Sequence, residues 1–186
     1  MKRGEDVLET LQKYPNQKLC EKFEFQNIAQ EDIKEAALLE QVCFPPNEAC
    51  TEERMAQRIQ KAPELFLTAA HKGTGKIAGF INGISTEECS LRDEFFTDIR
   101  LHNPEGRNVM ILGVAVHPEH QGQGLAGELM RRYLSRMGEM GKRRILLTCV
   151  SSKVKMYQKM GFYDQGRADS LWGGHFWHEM SCEIFR

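Results

Sequence analysis

The chain is 186 residues long and 41% apolar, enough for one domain with a sizeable core of α/β or α+β type. Its 25 basic and 26 acidic side chains nearly cancel, and no long basic block offers a footprint for nucleic acid. Six scattered cysteines without a CxxC pair read as reduced thiols with no metal site, and a charged start without any long apolar run argues against a leader or a membrane span, so a soluble cytoplasmic protein is expected.

Residues 1–20 are charged and weakly patterned, which suits either a short surface helix or a loose arm of no assigned role, set apart from a domain over residues 21–186. Alternation of Phe23, Phe25 and Ile28 predicts a first strand. Ile33, Ala36, Ala37, Leu38 and Val42 recur at helical spacing until Phe44-Pro45-Pro46 stops the ladder. Thr51 followed by Glu52 and Glu53 is an N-cap with early acids, and predicts a helix to about Ala62. Residues 65–70 and 77–84 read as two strands joined by a glycine-rich polar link. Residues 86–107 form a long connection, acidic and then turn-rich, of the kind that often carries function.

A nearly continuous apolar strand over residues 109–116 runs into the loop His117-Pro118-Glu119-His120-Gln121-Gly122-Gln123-Gly124-Leu125-Ala126-Gly127. Leu125, Leu129, Tyr133, Leu134 and Met137 then repeat at helical spacing, and Gly138 and Gly141 end the helix. Residues 145–150 read as a buried strand and 152–160 as a short helix closed by Gly161. Residues 162–186 read as two strands joined near Gly173-Gly174.

A glycine-rich turn entering a helix exposes amides with no intrahelical partner at the positive end of the helix dipole, which makes an anion site. Gly122, Gly124 and Gly127 can take positive φ and admit a phosphate close to the backbone; the alternative is a tight turn with no ligand. The absence of Gly-Lys-Ser/Thr and of G-x-G-x-x-G excludes a P-loop and a dinucleotide fingerprint.

Gln121-Gly122-Gln123-Gly124-Leu125-Ala126 resembles the (Gln/Arg)-x-x-Gly-x-(Gly/Ala) signature of the Gcn5-related N-acetyltransferases. The preceding Val114-Ala115-Val116-His117-Pro118 and the later Met156-Tyr157-Gln158-Lys159-Met160-Gly161-Phe162 are similar to that family's markers in order. Pro63-Glu64-Leu65-Phe66-Leu67, Leu101-His102-Asn103-Pro104-Glu105-Gly106 and Phe176-Trp177-His178-Glu179-Met180 resemble its arylalkylamine (serotonin) branch and microbial relatives. The resemblance implies an α+β fold: a single mixed, mostly antiparallel sheet of about seven strands, splayed between the fourth and fifth and flanked by about four helices. It implies acetyl-CoA as cosubstrate, with the pantetheine arm on Val114, Ala115 and Val116 and the pyrophosphate wrapped by Gln121, Gly122, Gln123, Gly124, Leu125, Ala126 and Gly127. It implies Tyr157 as the group that meets the cofactor and protonates the departing thiolate.

A primary amine of pKa about 10.4 is neutral in about one molecule per thousand at pH 7, so roughly 4 kcal/mol must be met by a base and a desolvating site. The arylalkylamine enzymes place two histidines on the fourth strand, where this chain has Met110 and Leu112. A related glutamate in insect enzymes makes Glu48 the candidate base, against a solvated loop residue. His117 is not assigned as base. The acids Glu87, Glu88, Asp93, Glu94 and Asp98 either attract a cationic amine or form a solvated face, and Trp172, Phe176 and Trp177 either line an aromatic-amine pocket or pack. Cys149 reads as a packed thiol. The expected function is direct acetyl transfer to a small primary amine, an arylalkylamine or polyamine, with a phenol-dependent alkaline fall in kcat that reaches below pH 10 if nearby dipoles favour the phenolate. A peptide or protein amine acetyltransferase and a non-catalytic acyl-CoA sensor are the alternatives. A monomer or homodimer acting on a small molecule, with no membrane or nucleic-acid partner, is expected.

Overall fold

A computed structural model describes residues 16–184, so the first fifteen residues of the expected arm lie outside it. Seven strands form one sheet: β1 (Phe23–Asn27), β2 (Phe66–His71), β3 (Ile77–Thr86), β4 (Asn108–Val116), β5 (Arg144–Cys149), β6 (Tyr163–Arg167) and β7 (His178–Glu183), in the spatial order β1-β2-β3-β4-β5-β7-β6. Every neighbouring pair is antiparallel except β4 and β5. The helices are α1 (Gln17–Lys22), α2 (Ile33–Cys43), α3 (Glu52–Lys61), α4 (Leu125–Glu139) and α5 (Val154–Lys159). The mixed, splayed sheet is the architecture the resemblance implies. One helix more than the four expected lies among the described residues: α1, capped by the Asn16 side chain and pinned by buried Leu19, overlapping the end of the stretch read as either a short surface helix or a loose arm. Among these residues no helix is long and apolar enough to cross a membrane.

Successive strand residues face opposite layers. Phe80 joins α2 and α3 in one cluster, while its neighbour Ile81 joins α4 and α5 in another. Thr51 caps α3 as expected, its hydroxyl accepting from the Arg54 amide at 3.3 Å. Helix α2 forms where its periodicity predicts, but its buried face is turned from the expected one. Leu38 and Val42 are exposed, and Ala36, Ala37, Leu39 and Glu40 point inward. Ala36, Leu39, Glu40 and Cys43 make an i, i+3, i+4, i+7 stripe, and the two alanines let the helix lie close to the sheet.

The gap in the sheet has a mechanical origin. β4 pairs with β5 only from Asn108 to Met110, while it stays paired with β3 as far as Val116 and β5 stays paired with β7 as far as Cys149. Each strand is held by its outer neighbour, so their far ends diverge. The divergence coincides with a register shift at Asn82 and Gly83 that leaves Leu112 as an extra residue in β4, and such a bulge bends its strand. A methyl group at Gly83 would lie 2.6 Å from the Met110 carbonyl oxygen, so the close approach requires glycine.

Candidate active site

The turn before α4 has the shape of an anion cradle. Gly122 and Gly124 have φ of +72° and +87°, and a Cβ on either would meet nothing within 4 Å. The Glu128 amide bonds the Gly124 carbonyl at 3.1 Å, whereas among the described residues the amides from Gly122 to Gly127 find no backbone acceptor. Gly127 differs from expectation: it lies inside α4 without positive φ, and a Cβ there would make ordinary contact with Met160 at 3.9 Å. Leu125 is buried and anchors the helix, with Ala126 half-buried beside it.

The two glutamine side chains brace this turn. Gln121 donates to the Val116 carbonyl at 2.8 Å, and Gln123 donates to the Glu119 carbonyl at 2.9 Å while accepting from the Lys22 ammonium at 3.0 Å. The backbone is thus the part left for an anion, with Lys22 of α1 contributing a cation nearby. Of Val114, Ala115 and Val116, only Val114 lines the central cavity. Ala115 packs toward α2 and α3, and the Val116 carbonyl also accepts from the Cys43 thiol at 3.3 Å. Open amides, absent Cβ atoms and a strand gap fit a pyrophosphate with an amide-rich arm.

At the strand gap lies a cavity of about 80 Å³. Tyr157 lines it from α5, 8% exposed and edge-on to Phe162. Burial, with a contribution from Cys149, pushes its phenol well above the ordinary range, so the hydroxyl stays protonated and able to donate. The same burial moves any phenol-dependent alkaline limb upward, opposite to the downward displacement considered from sequence. Cys149 is buried and its thiol is pushed up to about 11 by burial, the state of a packed thiol.

Glu48 also lines the cavity, from the turn between α2 and α3. Its carboxylate lies 3.2 Å from His175 Nε2; burial raises its pKa and His175 partly opposes that. That turn is docked onto the β6–β7 connection. Asn47 donates to the Gly173 carbonyl at 2.7 Å, Trp172 Nε1 donates to the Glu48 carbonyl at 3.4 Å, and a Cβ on Gly173 would collide with the Glu48 side chain at 2.4 Å.

A second carboxylate, which sequence reasoning missed, enters from α2. Glu40 is 3% exposed and lines the same cavity. Its Oε1 accepts from the Cys50 amide at 3.0 Å and lies 3.8 Å from Arg58, which donates to the Asn82 side chain at 3.2 Å and the Phe96 carbonyl at 3.0 Å. Its Oε2, like Asn82 Nδ2, has no hydrogen-bond partner among the described residues. Burial raises this carboxyl more than Arg58 and the Cys50 amide lower it. The available signal was an acid three and four residues after Ala37 and Ala36, in line with a buried stripe.

Phe96, Trp172 and Trp177 complete the aromatic wall, with Phe96 stacked on Trp172 at 5.0 Å and Trp177 Nε1 donating to the Trp172 carbonyl at 2.8 Å. Phe176 is outside, 67% exposed beneath the Arg167 guanidinium. Leu112 lines the cavity and Met110 is buried behind it. His117 caps the short turn that follows β4, its ring accepting from the Glu119 amide at 3.4 Å. The acidic run is engaged elsewhere: Glu87 with Arg107, Glu88 and Glu94 with Arg92, Asp98 with Arg100, and Asp93 with Ser170 and the Leu171 amide.

The model of the acetyltransferase (GNAT) family matches residues 33–162. Serotonin N-acetyltransferase of Mesocricetus auratus is 32% identical over 123 residues, which is 66% of this chain and 57% of that enzyme. The chain therefore matches little more than half the length of this curated relative. Two solved structures share the fold. The GphF GNAT-like decarboxylase with isobutyryl-CoA superposes with a TM-score of 0.73 at 14% identity, covering 87% of this chain and 100% of that one. A phosphinothricin acetyltransferase of Sinorhizobium meliloti with acetyl-CoA gives 0.65 at 14% identity, covering 88% and 89%. With 130 matched residues running from α2 to the turn after α5, the chain belongs to the acetyltransferase (GNAT) family.

Proposed function

We propose that this family member catalyses N-acetylation, moving the acetyl group of acetyl-CoA to a small primary amine by direct attack. The observation that carries the reading is one cavity at the strand gap lined by Glu40, Glu48, an aromatic wall and Tyr157. Carboxylates and aromatic faces both favour a cation, and the aromatic surface favours an apolar body attached to it. Acetyl-CoA supplies the activated acetyl group; the amides of Gly122 to Gly127 hold its phosphates, Lys22 adds charge beside them, and Val114 faces its arm. Tyr157 donates its phenol proton to the leaving sulfur, and a cavity carboxylate accepts a proton from the amine. Glu48 lines the cavity and contacts the half-exposed His175 imidazole, which gives its carboxylate a link to solvent.

An arylalkylamine is favoured over a polyamine because Phe44, Phe96, Trp172 and Trp177 would contact a ring more fully than a thin, multiply charged chain. Docking of the β6–β7 connection onto the α2–α3 turn favours a covered pocket over an open peptide groove. Six free cysteines suit a reducing compartment and a cytoplasmic enzyme, working as a monomer or homodimer. The test is thiol release from acetyl-CoA with phenylethylamine, spermidine and a lysine peptide in parallel. Phenylethylamine should have the highest kcat/KM. Turnover of the peptide alone would establish the protein-amine reading, and tight acetyl-CoA binding without thiol release on any amine would establish a sensor.

A further inference from the structure

We propose that Glu40, not Glu48, is the group that takes the proton from the amine. The inference rests on the amine acetyltransferase reading above and assigns the base within it. Glu40 Oε1 accepts from the Cys50 amide and lies 3.8 Å from the Arg58 guanidinium, which is itself tied to Asn82 and Phe96, so these contacts hold the carboxylate in place. Its Oε2 is buried, has no partner among the described residues, and belongs to a side chain that lines the cavity. A buried carboxylate oxygen without a donor is costly, and a substrate N–H placed against it supplies the missing hydrogen bond.

The place of that oxygen fits the reaction. A Cβ on Gly113 would lie 3.5 Å from Glu40 Oε2, so this oxygen stands over the bare strand where β4 has parted from β5. Gly113, Val114 and Tyr157 border the same cavity as Glu40, so the proposed proton acceptor and proton donor flank one space. Glu48 is differently placed, its carboxylate already answered by His175. The groups facing Glu40 are Arg58 and Cys50, with Cys43 on its own helix sensing its charge. Burial raises this carboxyl's pKa more than Arg58 and the Cys50 amide lower it, which makes it a stronger proton acceptor than an ordinary carboxylate.

The proton and bond balance closes. The incoming ammonium gives one proton to Glu40 Oε2, and the freed lone pair forms the C–N bond. The C–S bond breaks, the sulfur takes the Tyr157 proton, and the second nitrogen proton restores the phenol through solvent. The proton on Glu40 leaves to solvent, so ammonium and acetyl thioester become amide, free thiol and one proton.

The test compares two nucleophiles. Phenylethylamine is protonated at neutral pH and needs a base, whereas an O-alkylhydroxylamine is already neutral there and needs none before attack. Glu40→Gln should lower kcat/KM for phenylethylamine about a hundredfold or more while changing the alkylhydroxylamine rate less than tenfold, with acetyl-CoA affinity near wild type and a lowered thermal midpoint. Glu48→Gln should slow both nucleophiles by similar, smaller factors. Because Glu40→Gln strands the Arg58 charge, Glu40→Gln/Arg58→Gln is measured beside it and should give the same selective loss. Equal loss on both nucleophiles would reduce Glu40 to a structural role, and a selective loss in Glu48→Gln instead would overturn the assignment. If wild-type enzyme acetylates neither nucleophile, the amine reading itself fails; if it acetylates both and Glu40→Gln is unaffected, only the assignment of the base fails.

Discussion

Tyr157 shows how one position turns a packed ring into a proton donor. Its ring meets Phe162 and its burial holds the hydroxyl protonated far above neutrality. Tyr157→Phe should keep fold and acetyl-CoA affinity while lowering kcat by about a hundredfold, toward the low end if water substitutes as donor. Because burial raises the phenol's pKa, wild-type kcat should show no phenol-dependent fall up to pH 10. Steady-state kcat from pH 6 to 10 for both proteins checks this, and unchanged kcat in the variant would return Tyr157 to a core aromatic. The tyrosine was legible by its resemblance to a family marker. Glu40 was not, because its neighbours Arg58, Asn82 and Phe96 lie 18, 42 and 56 residues away in sequence.

At the level of elements, the turn into α4 follows directly from its residues. Two glycines take left-handed φ, and the first intrahelical amide belongs to Glu128. Gly124→Val forces a β-branched residue to a φ of +87°, at a cost of about 1–3 kcal/mol, and puts methyls into the open space over the unpaired amides. Acetyl-CoA affinity by calorimetry should fall more than tenfold. Gly75→Val, with φ of +70° in the β2–β3 link, carries similar strain and should leave that affinity unchanged. Helix α2 is the counterexample. Its periodicity was visible, but Leu38 and Val42 face out because the stripe containing Glu40 meets the sheet and the Arg58 cluster.

Across the whole molecule, distant segments are clamped by charge. Glu128 on α4 is buried, yet hydrogen bonds from Arg131 and Arg132 outweigh the desolvation that would raise its pKa and leave it below the ordinary carboxylate range. Arg132 reaches further, lying over the Phe25 ring of β1 and bonding the Cys20 sulfur of α1. A carboxyl whose folded pKa is depressed adds stability above its unfolded pKa and loses it as pH falls through the folded value. The difference in unfolding free energy between wild type and Glu128→Gln should therefore be about 1–3 kcal/mol at pH 7 and shrink below about pH 4. Urea unfolding at pH 7 and pH 3 measures it; an equal difference at both would assign the loss to packing.

The sequence by itself determined most of what is periodic or local. Strand alternation, the Thr51 cap, the proline stop after α2, the glycine turn and the order of the family markers all lie within short windows, where backbone sterics and local hydrogen bonds act. Only the tertiary structure decided what depends on partners far along the chain. It paired Glu87, Glu88, Glu94 and Asp98 with arginines and Asp93 with Ser170 and the Leu171 amide. It docked the Glu48 turn under Gly173 and beside His175, and it separated Trp172 and Trp177, which line the cavity, from Phe176, which does not. The same holds for the gap between β4 and β5, which opens because β3 and β7 hold the two strands along their full lengths.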